Sequence, residues 1–436
     1  MPARADALYT LRAASRNLIK EWKSGLAETS STAVNVVCVA SYFKGEDFLR
    51  ECKREGAHVE LLTRARTAHE NWPRDALDAV HFLPDDSSAE LFLHTAAQLA
   101  RERKLHTLVA LEEFDVITAA LAREHLKLSG MDSSHARVFR DKLTMRVRAR
   151  DAGMRVPEFV PLFNHQEVGE YMQRVPPPWV VKPRSDVSSS GIRRLDDAKQ
   201  VWRAFEALDA REALQDKSSY YLLEKFVPGE VFHVDSVVED GEVIFSGASL
   251  YGRPPLRVVE EGGVFTTHTI EYDSPEHAEL LRLNTELLRA LGLERGAAHA
   301  EFIRSAEGDF YFLEVAARVG GAHIAETLEA ASGHNLWRVW ARVEVAHARG
   351  ERVGRLQSRR EYGGIALSLA RQERPDTSAY TDPEIVFRMD KSHHVGLVVR
   401  SPSLARVREL LDLYTERFAR DFSAYVPPPE RRGIHL

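Results

Sequence analysis

The chain has 436 residues, 59 Lys and Arg against 65 Asp and Glu, a net charge of −6, and 44% hydrophobic residues. That length predicts roughly two to four globular domains, and the interspersed charge argues against a nucleic-acid binder, which carries a basic patch. No run approaches the ~20 apolar residues of a membrane span, the basic N-terminus lacks the apolar core of a secretory leader, and Cys38 and Cys52 have no metal or redox spacing, so a soluble cytoplasmic chain is expected.

In chain order, residues 1–32 read as a helical extension with Leu8, Leu11, Leu18 and Trp22 near one face. Residues 33–134 alternate strands (34–40, 59–63, 79–83, 106–111) with helices (43–56, 89–104), the pattern of a parallel α/β domain. Cys38 sits inside the first strand as a buried hydrophobe. A basic helix is predicted over 139–152, stopped by Gly153. Pro176-Pro177-Pro178 breaks the chain before a strand at 179–182, a polar loop at 184–191, a helix at 198–213 and a strand at 220–226. Strands at 231–238 and 243–250 follow the Pro228-Gly229 turn, residues 251–274 read as loop, and a helix over 275–291 ends at Gly292. Strands 299–304 and 310–316 form a hairpin, Gly320-Gly321 opens a helix over 322–332, and the tail holds strands at 364–369 and 395–400 and a helix at 403–418. The shift to antiparallel strands predicts an α+β region from about residue 135.

Chemistry concentrates on the hairpin. Strand alternation places His299, Glu301 and Ile303 on one face of the first strand, and Phe312, Glu314, Ala316 and Arg318 on one face of the second. Two carboxylates brought together in apolar strands repel each other and resist burial, and a divalent cation resolves the conflict. Mg²⁺ suits such a site, since it takes few carboxylates together with water and phosphate oxygens. Taken alone, the glutamates read equally well as unrelated surface residues, and Arg318 offers a purely structural ion pair. The chain has no G-x-x-x-x-G-K-[ST] and no G-x-G-x-x-G, so phosphates must meet their partners in another way. Lys182 ends an apolar strand, and the loop after it carries Ser188, Ser189, Ser190 and Gly191, whose backbone amides suit a triphosphate. Lys142 follows Asp141 in the basic helix.

The order of these signals is specific. Asp141-Lys142, Val-Val-Lys182-Pro with Ser-Ser-Ser-Gly191, Leu-Leu-Glu224-Lys-Phe-Val-Pro-Gly229, His-Ala-Glu301-Phe-Ile and Phe-Leu-Glu314-Val-Ala-Ala-Arg318 together resemble the ATP-grasp superfamily, from about Phe139 to Ala331. The resemblance implies an ATP-grasp fold of α/β and α+β parts. It would comprise the N-terminal extension (1–32), a parallel pre-ATP-grasp domain (33–134), small and large antiparallel-sheet lobes (135–225 and 226–345) and a C-terminal subdomain (346–436). It implies Lys142 and Lys182 on the ATP phosphates, Ser188 to Gly191 as the loop over them, and Glu224, Lys225, Phe226 and Val227 along the adenine edge. Glu301 and Glu314 become ligands of Mg²⁺, with Mn²⁺ as an alternative, and Arg318 the arginine on a substrate carboxylate or acyl phosphate. Two positions depart from the family pattern: Ala316 stands where Asn is usual, and Val231 where a ribose-binding glutamate is usual, with Glu230 beside it as substitute and Asp235 further on.

By the same resemblance the reaction is ATP-dependent joining of a carboxylate to an amine through an acyl phosphate, on small molecules, in a family where homodimers are frequent. Arg253, Arg257, His268 and His323 are candidate substrate residues, since a carboxylate favours a bidentate arginine and a helix start receives anions. His233 is expected to pack beside Phe232. A biotin carboxylase-like activity and a non-catalytic ATP-binding module are the alternatives.

Overall fold

The computed structural model describes residues 33–424 except 186–190, 212, 255–257 and 259–261. The expected helix within 1–32 lies outside these residues. A four-stranded parallel sheet comes first: β1 (Asn35–Ala40), α1 (Glu46–Arg54), β2 (His58–Arg64), β3 (Ala79–Leu83), α2 (Ala89–Glu102), β4 (Thr107–Ala110) and α3 (Val116–Leu126), with strand order β3-β2-β1-β4. β1 is buried along almost its whole length, as a parallel strand covered on both faces must be, and Cys38 is a free buried thiol within it.

The basic helix expected over 139–152 is α5 (Lys142–Asp151), and a short separate helix, α4 (Ser133–Val138), precedes it. The Asp141 side chain accepts from the Leu143 amide and starts α5 afresh, so Lys142 becomes its first residue. A second sheet follows: β5 (Phe159–Pro161), α6 (His165–Arg174), β6 (Trp179–Pro183), β7 (Arg193–Leu195), α7 (Ala198–Asp209) and β8 (Tyr221–Lys225), with order β5-β8-β6-β7.

The third sheet holds β9 (Glu230–Glu239), β10 (Glu242–Tyr251), β11 (Phe265–Thr269), then α8 (Pro275–Leu291), β12 (Gly296–Arg304), β13 (Phe310–Ala316), α9 (Ile324–Ser332) and α10 (Leu336–Arg349). It continues with β14 (Tyr362–Leu369), β15 (Ile385–Arg388) and β16 (His394–Ser401), and α11 (Leu404–Asp421) packs on its far part. Its order is β13-β12-β9-β10-β11-β14-β16-β15. Within the region expected to be loop, β11 bridges β10 to β14, so the boundary expected at residue 345 falls between segments of one continuous sheet.

α10 was not legible in the sequence, and it joins the first domain to this sheet. Trp340 meets Phe48 edge to face with ring centres 5.0 Å apart. Glu344 binds Arg295 at 3.0 Å, Thr107 at 3.0 Å and the Trp340 indole at 3.1 Å. Val36, Cys38 and Phe48 therefore share one apolar core with Val237, Ile324 and Trp340. Among the described residues, no helix is long and apolar enough to cross a membrane.

Candidate functional site

β12 and β13 pair in antiparallel register with Glu301 opposite Glu314 and His299 opposite Ala316. Directly opposed residues present their side chains on the same face, so the two carboxylates share a surface. One expectation is corrected. The register slips between Glu301 and Phe302, and Phe312 pairs with Phe302 instead of continuing on the face of Glu314. An irregularity of this kind adds a residue to one strand and re-aims the side chains beyond it. Phe312 is consequently buried in the apolar core against Phe302, while Glu314 and Glu301 are kept on the polar side.

Each carboxylate has its own setting. Glu314 receives the Lys142 ammonium at 3.0 Å, so the first residue of α5 reaches the hairpin. Glu301 accepts from the Tyr251 hydroxyl at 2.8 Å and faces His299 Nε2 at 3.4 Å. Burial works against its charge, but the His299 and Tyr251 contacts hold its carboxyl below the usual range. Oxygen donors from two paired strands, with a lysine alongside, fit a hard divalent cation shared with phosphate oxygens.

Lys182 points into a buried ion cluster. Its ammonium lies 2.6 Å from Glu224, which also binds Arg146 Nε at 2.5 Å. Burial, with Arg146 nearby, pushes the Lys182 ammonium down to about 8. The Glu224 carboxylate is therefore occupied by two cations, which leaves the backbone of this segment for the expected adenine edge. Lys225 is likewise engaged, its ammonium on the Pro176 and Pro177 carbonyls and its amide on the Glu158 carbonyl. The Phe226 amide is bound to Pro178, and Val227 follows at the exit of β8. Gly191 lies beside Pro183, whereas Ser188, Ser189 and Ser190 lie outside the described residues.

Arg318 reaches across to the first domain. Its Nε and Nη2 bind Glu113 at 3.0 and 2.8 Å, and its Nη1 binds the Val319 carbonyl at 3.0 Å. An N–H remains on each terminal nitrogen, so the guanidinium keeps an edge for an anion. Glu113 also pairs with Arg140. Burial opposes its charge, yet Arg318 and Arg140 together hold its carboxyl at about 2.

The remaining expected residues scatter. His268 is corrected: it packs on the opposite face of β11 from Thr267, near α11, with Nδ1 on the Thr269 carbonyl at 2.9 Å. Strand alternation sends neighbouring residues to opposite faces, so Thr267 rather than His268 meets the site. Glu230 is exposed at the start of β9, with Arg304 4.0 Å away. Arg253 is partly buried beside Gly262, and Arg257 lies outside the described residues. His323 pairs with Glu326 at 3.0 Å and packs against Phe387.

A buried relay was missed. His233 does not simply pack beside Phe232: its Nδ1 meets Asp235 at 2.6 Å and its Nε2 meets Thr267 at 2.8 Å. The other Asp235 oxygen meets His299 Nδ1 at 2.8 Å. The alternation of His233 and Asp235 along β9 was the available sign, but their partners come from β11 and β12.

Residues 175–326 match a family model described as an ATP-grasp domain. An L-arginine-specific L-amino acid ligase of Bacillus subtilis is 22% identical over 288 residues, covering 65% of this chain and 68% of that protein. An L-amino acid ligase from Bacillus licheniformis superposes with a TM-score of 0.70 at 18% identity, covering 90% of this chain and 98% of that one. The biotin carboxylase domain of a Hydrogenobacter thermophilus 2-oxoglutarate carboxylase, solved with MgADP and bicarbonate, gives a TM-score of 0.67 at 16% identity over 89% and 90% of the two chains. The chain contains an ATP-grasp domain and has the ATP-grasp fold.

Proposed function

We propose that this ATP-grasp chain is an ADP-forming ligase that activates a carboxylate as an acyl phosphate and joins it to an amine, with amino acids or peptide-like molecules as substrates. The observation that carries this reading is the Lys142 ammonium on Glu314, the cross-strand partner of Glu301, with Arg318 following on the same chain segment. Likeness to amino-acid ligases in sequence and in fold supports it.

Lys142 and Lys182 neutralise the triphosphate, and Glu301 and Glu314 hold the divalent cation. When bound, that cation draws charge from the transferring phosphoryl group. A carboxylate oxygen of the acid bonds to the γ-phosphorus and the bond to ADP breaks. The amine nitrogen then bonds to the carbonyl carbon, phosphate leaves, and the nitrogen loses a proton. Both steps depend on positioning and on charge neutralisation, which the lysines and Arg318 supply. Lobes at 135–225 and 226–345 enclose the nucleotide in this scheme, and Val227 lies along its adenine edge.

The test is ADP release from Mg-ATP with paired L-amino acids, against a bicarbonate arm. Amino-acid-dependent ADP and a new amide are expected; bicarbonate-dependent ADP without amide would move the chain to carboxylation. Glu314→Ala is expected to lower turnover by about three orders of magnitude, the scale of a lost transition-state contact, with an unchanged circular-dichroism spectrum. Wild-type rates in that variant would remove Glu314 from the site.

A further inference from the structure

Ala316 stands where the resemblance places a metal-binding asparagine, and the register shows what faces it. His299 is its direct cross-strand partner, just as Glu301 is the partner of Glu314. Imidazole, two carboxylates and a methyl group thus share one face of the hairpin, and the small methyl leaves the histidine room. The His299 ring is oriented from behind by Asp235, which meets its Nδ1 at 2.8 Å. Asp235 is fully buried and is fixed in turn by His233 at 2.6 Å, which Thr267 anchors at 2.8 Å.

Among the described residues, the other ring nitrogen, Nε2, meets the Tyr251 hydroxyl at 3.3 Å and Glu301 Oε1 at 3.4 Å. Both exceed the roughly 2.9–3.0 Å typical of an N–H···O hydrogen bond. Two cis donors about 2.1 Å from an octahedral cation stand ~3 Å apart, so Nε2 and Oε1 already lie within a few tenths of an ångström of sharing one. A carboxylate on the far nitrogen is the arrangement that metal-binding imidazoles use to fix ring orientation. Among the described residues, the metal-ligating groups that all lie within 4.8 Å of one another are His233, Asp235 and His299, but the hydrogen bonds joining them fill the space between them, which leaves the Glu301 side of His299 for a cation.

We propose that His299 Nε2 is the third protein ligand of the divalent cation, beside Glu301 and Glu314, in place of the side chain that Ala316 lacks. The proposal rests on the metal–nucleotide reading of this hairpin. It adds a nitrogen to an oxygen site, which raises the affinity for Mn²⁺ and Co²⁺ relative to Mg²⁺. His233 and Asp235 are positioning residues that act through His299.

The experiment uses the full chain with Mn²⁺ and ADP, and no acid or amine, read by pulsed electron paramagnetic resonance. The wild-type spectrum is expected to carry coupling to a directly bound nitrogen that changes when histidine alone is ¹⁵N-labelled and vanishes in His299→Asn. The Mn²⁺ dissociation constant is expected to rise at least tenfold in His299→Asn, measured at a temperature at which circular dichroism shows both proteins folded. Bound Mn²⁺ without histidine coupling, or coupling that persists in His299→Asn, overturns the proposal. ADP release from acid and amine without this coupling sinks the histidine assignment alone. Histidine-coupled Mn²⁺ in a protein that turns over no acid and amine sinks the ligase reading alone, and failure to bind Mn²⁺ with ADP sinks both.

Discussion

Lys182 is a charge placed at the end of an apolar strand, and its setting decides how it behaves. Burial and Arg146 weaken its hold on a proton, and Glu224 keeps the ammonium in place. Because burial lowers the group to about 8, the free enzyme loses the charge proposed to meet the phosphates as pH rises through that value. The specificity constant for ATP is therefore expected to fall above pH ~8, a limb that kcat/KM reports because it belongs to the free enzyme. Lys182→Arg keeps its charge throughout and is expected to lose that limb while working more slowly. Steady-state kinetics between about pH 6.5 and 10 measure this, and a wild-type profile flat to the upper end would contradict it.

At the scale of elements, the hairpin and the segment after it act together. Arg318 and the Gly320-Gly321 turn follow directly on β13, so the strand that presents Glu314 also aims the arginine and the start of α9. Gly320 is pressed onto the buried relay. A Cβ there would stand 2.7 Å from Asp235 Oδ1, 3.0 Å from Ile324 Cδ1 and 3.1 Å from His299 Nδ1. Gly320→Ala must therefore push either the turn or the relay out of place. Misplacement of about 1 Å costs roughly a hundredfold in rate, so turnover is expected to fall by about that factor while the circular-dichroism spectrum stays unchanged. Near-normal turnover would mean that the turn can shift without consequence.

Across the whole molecule, the first sheet region reaches the proposed site through one carboxylate. Glu113 follows β4 and binds both Arg318 and Arg140, and α10 seals the two sheets behind it. Removing one partner of a buried ion pair leaves the others uncompensated, at a cost of about 3 kcal/mol. Glu113→Gln is expected to lose about that much stability in denaturant unfolding at neutral pH. The sign with pH follows from the carboxyl being held at about 2, against an ordinary 4.5. Its contribution is complete above the unfolded value and is lost as pH falls toward the folded one. Wild type and variant should converge in stability between pH ~4.5 and ~2, and a constant difference over that range would contradict the assignment.

The amino-acid sequence by itself determined the alternation of the first domain, the span of α8, and the opposition of Glu301 and Glu314, because each follows from local periodicity and a short turn. It also marked Lys182 as a charge at the end of an apolar strand. It did not reveal β11, α10 or the register slip beside Phe302: β11 lies in a segment without clear alternation, and a slip of one residue leaves no trace in composition. The tertiary structure alone decided that Glu113 holds Arg318, that Glu224 is spent on Lys182 and Arg146, and that His299 faces Ala316 with Asp235 behind it. These contacts join residues well separated in the chain, by 205 positions for Glu113 and Arg318, and only strand pairing and the packing of one domain on another bring them within reach.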